Sequence, residues 1–357
     1  MDAHVDTRAA QSTSGVLPYE LARRVVELAT AAPSVHNTQP WAFRIDGETI
    51  TLYADVSRRL VVEDPVGRDL VISCGAVLHH LQVAAAALGW STTVDRLPRG
   101  SDPTLLAQVH VEPAAETNDS TSLTSLLERR TDRRRFTSWP VPDQRLQHLA
   151  EVAGSWGCHA VPLLEDLART RVELLVETAR ARDGLRTQFG PGQLADGEAE
   201  LESADGIIVL GGTADAVGTW LRTGEALSAL WLEATEGGLS VVPLSRPVEV
   251  EQTRTSLRRE VLGGLLMPHL VLRIGWQSIG RSQLPPSPRR PVEDVLRTYV
   301  ARWTDRSSAH PAQLSRTVQL CLAWVGEPHL RVHHGTRGGS HHYRVEVQLG
   351  QLRYVDR

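Results

Sequence analysis

The 357-residue chain contains no lysine, so all 38 of its basic side chains are arginines. Any anion it binds must meet planar guanidinium forks rather than flexible ammonium groups. Cysteine is scarce. Cys74, Cys158 and Cys321 are far apart and odd in number, which argues against a disulfide framework and a cysteine-built metal site and fits a reducing cytoplasm. Long apolar runs are also missing. The longest, from Val71 to Trp90, is broken by His79, His80 and Gln82, and residues 1 to 15 have no apolar stretch of the export-signal kind, so we expect neither a membrane span nor a secretion signal. The net charge of -4 gives no overall pull toward nucleic acid or membrane. No P-loop, no G-x-G-x-x-G after a strand, no G-x-S-x-G elbow and no H-E-x-x-H occurs. Glycine-cradled nucleotides, serine-esterase chemistry and zincin chemistry therefore lose support.

With 41% hydrophobic residues the chain can fill one large core or two ordinary ones. Leu21, Ala22, Val25, Val26, Leu28 and Ala29 recur at helical spacing, which predicts an amphipathic helix over about 19–32, stopped by Pro33. Ala42–Ile45 and Thr49–Leu52 around Asp46-Gly47 predict a hairpin. Between helix and hairpin lies Pro33-Ser34-Val35-His36-Asn37-Thr38-Gln39-Pro40-Trp41, a polar turn where ligand contacts are commonly found.

The sequence also carries an internal likeness: Gly75-Ala76-Val77-Leu78-His79-His80-Leu81-Gln82-Val83-Ala84-Ala85 and Gly224-Glu225-Ala226-Leu227-Ser228-Ala229-Leu230-Trp231-Leu232-Glu233-Ala234 share a glycine, two leucines and an alanine in one register. Each is followed by a β-rich run, Ser91–Val94 or Ser240–Pro243, and each half begins with an amphipathic helix, near 19–32 or 143–153. Two apolar helices can agree this far by chance, but the common order of elements favours a fused duplicate. Residues 1–15 read as a disordered end, 16–118 as a first half and 119–303 as a second. A Gly- and Asp-rich segment at 183–205 has the length of a lid or of a surface insertion. Residues 304–357 read as an appended tail, with a helix over Leu314–Trp324 and two strands between Arg331 and Val355. Its pairs His333-His334 and His341-His342 alternate faces on a strand, so no metal site is expected there.

Chemistry concentrates in Glu128-Arg129-Arg130-Thr131-Asp132-Arg133-Arg134-Arg135, after a short apolar helix carrying Leu123, Leu126 and Leu127. Several guanidinium groups and a hydroxyl suit a phosphate dianion. A solvated basic turn and a nucleic-acid patch are the alternatives, the latter unsupported by interleaved aromatics. Pro285-Pro286-Ser287-Pro288-Arg289-Arg290-Pro291 is a stiff tether that presents two more arginines, or a plain linker. Val242-Pro243-Leu244-Ser245-Arg246-Pro247 is a strand end whose backbone can lie against a flat ring.

In this order the motifs resemble the FMN-dependent nitroreductase family, with its P-S-x-x-N-x-Q-P-W turn and R-x-S/T-x-R/K motif, and in particular its fused, Acg-like actinobacterial branch. Asp64-Pro65-Val66-Gly67-Arg68, Ser73-Cys74-Gly75 and Pro288-Arg289-Arg290-Pro291 are similar to that branch too, and the likeness covers about residues 17–302. It implies an α+β fold in which two tandem halves form a pseudo-dimer, a mixed β-sheet flanked by helices. It implies FMN as cofactor, NAD(P)H as co-substrate, and a small flat electron acceptor such as a nitroaromatic or quinone, in a monomer that needs neither nucleic acid nor membrane. By the resemblance, Arg129, Thr131 and Arg133 hold the FMN phosphate with Arg289 or Arg290 reaching it. Ser34, Asn37, Gln39, Pro40 and Trp41 contact the ribityl chain or ring, and Leu244 and Ser245 lie near its reactive edge. Many relatives have Glu-Gly where this chain has Ser245-Arg246. No side chain is expected to act as a catalytic acid or base, because the flavin carries the chemistry. A second reading is a stress protein that sequesters FMN with little turnover. The first half has the turn without an arginine cluster before it, and the second has the cluster with Gly154-Ser155-Trp156-Gly157-Cys158-His159 in place of the turn, so one complete site is expected.

Overall fold

The computed structural model describes residues 17–100, 102–114, 121–187, 205–278, 280, 284–297, 300–303, 329–337 and 340–348. Chain contacts divide it into two units, 1–295 and 296–357.

In the first unit, α1 (Tyr19–Ala29) ends earlier than Pro33 requires. The Thr30 hydroxyl bonds back to the Glu27 carbonyl, and Ala31 and Ala32 turn in tighter bonds to Leu28 and Ala29. The hairpin β1 (Trp41–Asp46) and β2 (Thr49–Ala54) pairs in register around Gly47, whose φ of +55° suits glycine. Then come α2 (Arg68–Ala87), β3 (Trp90–Arg96), β4 (Leu105–Pro113) and α3 (Thr121–Glu128). The four strands form an antiparallel sheet in the order β1-β2-β4-β3.

The second half repeats this plan with additions. Its elements are α4 (Asp143–Ser155), β5 (His159–Pro162), α5 (Asp166–Thr187), β6 (Gly206–Gly212), α6 (Val217–Glu236) and β7 (Leu239–Leu244). After β7 come α7 (Arg246–Glu249), α8 (Glu251–Ser256), a π turn at Leu257–Val261, and β8 (Met267–Trp276). The sheet order is β5-β6-β8-β7, the counterpart of the first strand for strand, and again antiparallel. The fold is thus α+β, with two sheets flanked by helices. The inserted α5 packs on α7 and α8, a layer without counterpart among the described residues of the first half.

The halves meet where α2 and α6 cross. Gly75 and Gly224, paired in the sequence register, touch there: a Cβ on either would lie 2.8 or 2.7 Å from the other's Cα, so only glycine lets the backbones approach this closely. Residues one turn further on also pair, with His79 Nδ1 2.8 Å from Ser228 Oγ. By length and composition α2 resembles a membrane span, but 78% of its apolar window is buried inside the protein. Its mean apolarity is that of a central core helix.

In the second unit, β9 (Val300–Trp303), β10 (His329–Arg337) and β11 (Ser340–Gln348) form an antiparallel sheet in the order β10-β11-β9. Both histidine pairs lie on its hairpin. The expected helix over 314–324 and most of the lid segment, 188–204, fall outside the described residues.

Candidate functional site

The turn between α1 and β1 holds three non-glycine residues in left-handed backbone, His36, Asn37 and Gln39, at φ of 44°, 55° and 48°. Each such residue costs about 1–2 kcal/mol relative to ordinary backbone. Several bonds hold the turn in place. The Gln39 N–H donates to Ser34 Oγ at 3.0 Å, the Val35 N–H donates to Ser73 Oγ at 3.1 Å, and the Cys74 thiol donates to the Pro40 carbonyl at 3.2 Å. Ser73 and Cys74 lie on α2, so the central helix fixes the turn. Trp41 is fully buried where β1 begins.

The strap of residues 284–290, leading into α9 (Val292–Val295), lies across this turn. The Asn37 side-chain amide donates to the Pro288 carbonyl at 3.0 Å, and Arg289 Nη1 donates to Asn37 Oδ1 at 2.8 Å. Gln39 Oε1 accepts from the Arg290 N–H at 2.8 Å, while Arg290 Nη1 donates to the carbonyls of Gln39 and Trp41. The strap is anchored further along by an ion pair between Arg23 of α1 and Glu293. Two motifs some 250 residues apart in sequence therefore form one structure.

The third motif arrives from α3. Arg129 follows the helix and is 4% exposed. Its guanidinium lies over the Trp231 ring of α6, 4.6 Å from the centroid, and its Nη2 donates to the Ala31 carbonyl at 3.2 Å. Arg289 Nη2 donates to the same carbonyl at 2.9 Å. Downstream, Phe136 anchors the segment in the second half: its ring fills the space over Gly275, and Thr137 N–H donates to the Trp276 carbonyl. Between these anchors the chain is neither helix nor strand. Thr131 is half-buried, Arg133 is exposed, and Arg134 grips Asp132 at 2.6 Å.

The electrostatics are one-sided. Burial lowers the Arg129 pKa to about 9, with Arg289 and Arg130 adding repulsion. Burial, then Arg130, lowers that of Arg289. No carboxylate contributes to either shift. Moreover, Nε and Nη1 of Arg129, Nε of Arg290 and Nε1 of Trp41 are buried donors without a hydrogen-bond partner. Leaving a buried polar group unpaired costs about 1–3 kcal/mol, more for a charged one. Such a donor set fits an anion with several acceptor oxygens.

Leu244 and Ser245 lie at the end of β7, with Leu244 buried and the Ser245 carbonyl accepting from Val248 and Glu249 as α7 begins. None of the hydrogen bonds described for them reaches the turn, the strap or Arg129. Their link to the first half runs through α7, whose Val248 carbonyl accepts from Arg68 at the start of α2. Arg246, beside Ser245, donates to Glu249 Oε2 at 2.9 Å.

Residues that the motifs did not single out complete the surroundings: the Ala31 carbonyl, Trp231, and His80 of α2. His80 is fully buried and pushed well below the usual histidine pKa by burial first, then by Arg129. The one available signal was a polar pair, His79-His80, interrupting an apolar helix.

No family model matches the chain. It is 32% identical over 333 residues to "Putative NAD(P)H nitroreductase Rv3131" of Mycobacterium tuberculosis, an alignment covering 83% of this chain and 97% of the relative. It is 28% identical over 318 residues to "Putative NAD(P)H nitroreductase acg" of the same organism, covering 78% and 95%. Among solved structures, that of a "putative nitroreductase" from Anabaena variabilis superposes with a TM-score of 0.51 at 11% identity, over 72% of this chain and 88% of that one. That likeness concerns the fold. The 32% identity to Rv3131 over nearly the whole of that relative, together with the turn and arginine motifs, makes this chain a member of the nitroreductase family.

Proposed function

We propose that the chain is an FMN-binding oxidoreductase with one flavin site, assembled from the first half's turn, the arginine segment after α3 and the strap. The carrying observation is the cluster of Arg129, Arg130 and Arg289: like charges crowded together, with two unpaired Arg129 donors and no opposing carboxylate among the causes that lower the pKa of Arg129 and Arg289. A phosphate dianion supplies what this cluster lacks.

In this reading Arg129, Thr131 and Arg133 hold the phosphate, and Arg289 or Arg290 reaches it from the strap. Ser34, Asn37, Gln39, Pro40 and Trp41 line the ribityl chain or ring. Leu244 and Ser245 border the reactive edge. When bound, FMN would supply the redox chemistry, hydride transfer between NAD(P)H and a flat electrophile such as a nitroaromatic or quinone. The protein's own work is to bind, orient and exclude water. The left-handed turn, tied to α2 and to the strap, presents fixed polar groups whose ordering cost is met in folding rather than in binding. The matching strand orders and the Gly75–Gly224 contact further support descent of 16–118 and 119–303 from one duplicated ancestor.

A second reading, storage or sequestration of FMN, is favoured by the strap's six hydrogen bonds with Asn37, Gln39 and Trp41, which restrain access from that side. Steady-state NADPH or NADH oxidation by the flavin-loaded chain, with menadione or nitrofurazone as acceptor, separates the two. Sustained turnover supports the oxidoreductase. Stoichiometric flavin with no turnover on either acceptor selects sequestration.

A further inference from the structure

His80 has one nitrogen satisfied and one not. Its Nδ1 lies 2.7 Å from Ser228 Oγ, and the Ala76 carbonyl one turn back also accepts from the ring. Its Nε2 is buried and has no partner. Ser228 and Trp231 are three residues apart on α6 and so share a face. His80 rests on the first, and Arg129 lies over the second. The unpaired nitrogen of His80 and the unpaired Nε and Nη1 of Arg129 therefore belong to one neighbourhood, where α2, α6 and the segment after α3 meet.

The charged and titratable groups acting on His80 are His79 on its own helix, Arg129 after α3 and Arg289 on the strap. All of them oppose a proton on the ring, and burial opposes it more strongly, so His80 is neutral beside the bare arginines. A doubly charged phosphate reverses that balance. The anion attracts a proton to Nε2, and an imidazolium ring has a donor for each partner: Nδ1–H for Ala76 or Ser228, and Nε2–H for a phosphate oxygen.

We propose that His80 is a ligand of the phosphate site and takes up one proton from solvent when a phosphate dianion enters, so that anion binding and protonation of the ring are one coupled event. The inference rests on the flavin reading for the identity of the natural ligand, though not for the coupling. In proton balance, neutral His80, one solvent proton and the dianion give an imidazolium–phosphate pair, with no other bond made or broken.

The test is calorimetric titration of the full-length, flavin-stripped chain at pH 8, in two buffers of different ionisation enthalpy. At that pH the FMN phosphate is already a dianion. Riboflavin and inorganic pyrophosphate serve as the comparison ligands. The proposal predicts uptake close to one proton for FMN and none for riboflavin. His80→Gln should abolish the uptake and weaken FMN roughly tenfold, the scale of one charge-assisted hydrogen bond, while riboflavin affinity stays unchanged. Ser228→Ala, which removes the hydroxyl beside Nδ1 of both His79 and His80 but leaves the His80 ring itself, should weaken FMN less and leave uptake in place.

FMN binding without proton uptake in the unmodified chain overturns the proposal whatever the variants do, and so does uptake that persists in His80→Gln. Pyrophosphate binding with His80-dependent uptake, but no FMN binding, upholds the coupling and removes the flavin reading. Failure of both FMN and pyrophosphate to bind overturns the two together.

Discussion

Arg129 combines a destabilising position with the binding role proposed for it. A buried charge with two unpaired donors destabilises the chain, and only an anionic ligand repays it. Arg129→Met keeps much of the volume and the packing on Trp231 while removing the charge. We expect it to raise the thermal midpoint of the flavin-free chain and to weaken FMN binding by about 10–100-fold. Melting curves and flavin titration on the same preparation check both halves, and a variant that binds FMN normally counts against the phosphate assignment. At this scale the sequence was partly legible. Ser34, Asn37, Gln39, Arg289 and Arg290 could be singled out because a dense polar turn follows an apolar helix and two arginines sit on a proline-rich tether, and the family resemblance gave both segments a role. His80, Trp231 and the Ala31 carbonyl could not, because their role depends on which helices cross, and no local pattern encodes that.

Asp69, at the start of α2, makes a second residue-level prediction. Burial raises its carboxyl to about 7, with Arg68 opposing and Asp64 and Glu249 reinforcing the rise. Its Oδ2 is buried and unpaired, as are Asp64 Oδ1 and Glu249 Oε1. Because the folded state holds this proton more tightly than the unfolded chain, Asp69 costs nothing below about pH 4. Its cost grows as pH rises from about 4 to 7 and is complete above 7. Buried His79, lowered to about 3, works in the opposite sense between pH 3 and its unfolded value. The two are separated by subtraction. Asp69→Asn keeps an acceptor for Arg68 and removes the ionisation, so the variant should gain stability over the parent on going from pH 5 to pH 8, by on the order of 1–4 kcal/mol. Urea midpoints at both pH values measure it, and parallel pH dependence of the two proteins contradicts it.

Among the elements, the crossing of α2 and α6 is the strictest packing in the chain. Gly75→Ala or Gly224→Ala puts a methyl against the backbone of the opposite helix, with no flexible side chain to give way. Overpacking of this kind costs about 1–3 kcal/mol or more. Gly154→Ala, near the end of α4 with nothing within 4 Å of the new methyl, should be neutral or stabilising by about 0.5–1 kcal/mol. Denaturation midpoints that fail to separate the two sets would contradict the close crossing. Helix and strand periods made these elements readable from sequence, since α1, the β1–β2 hairpin and the α2/α6 pair all carry clear patterns. The end of α1 was misplaced by three residues because Thr30 closes the helix with its own hydroxyl before Pro33 is reached. The extra layer of α5, α7 and α8 has no such pattern: α7 is four residues long, and the π turn after α8 breaks the period.

For the molecule as a whole, the two halves share one strand order yet differ in what they contribute. The first gives the strained turn, the second gives Arg129 with its anchor at Phe136, and the strap closes on the turn from the far end of the sequence. The likeness of the two halves was readable as a repeated register, whereas the asymmetry of the proposed site was readable only by noticing which motif each half lacks. Our central claim, one FMN site per chain, is tested most directly by flavin stoichiometry. The purified chain is incubated with excess FMN, separated from free flavin, denatured, and its released FMN measured by absorbance against protein concentration. The account predicts about one FMN per chain, falling to near zero when Arg129 and Arg133 are both replaced by alanine. Two per chain contradicts the single site, and none at all contradicts the flavin reading.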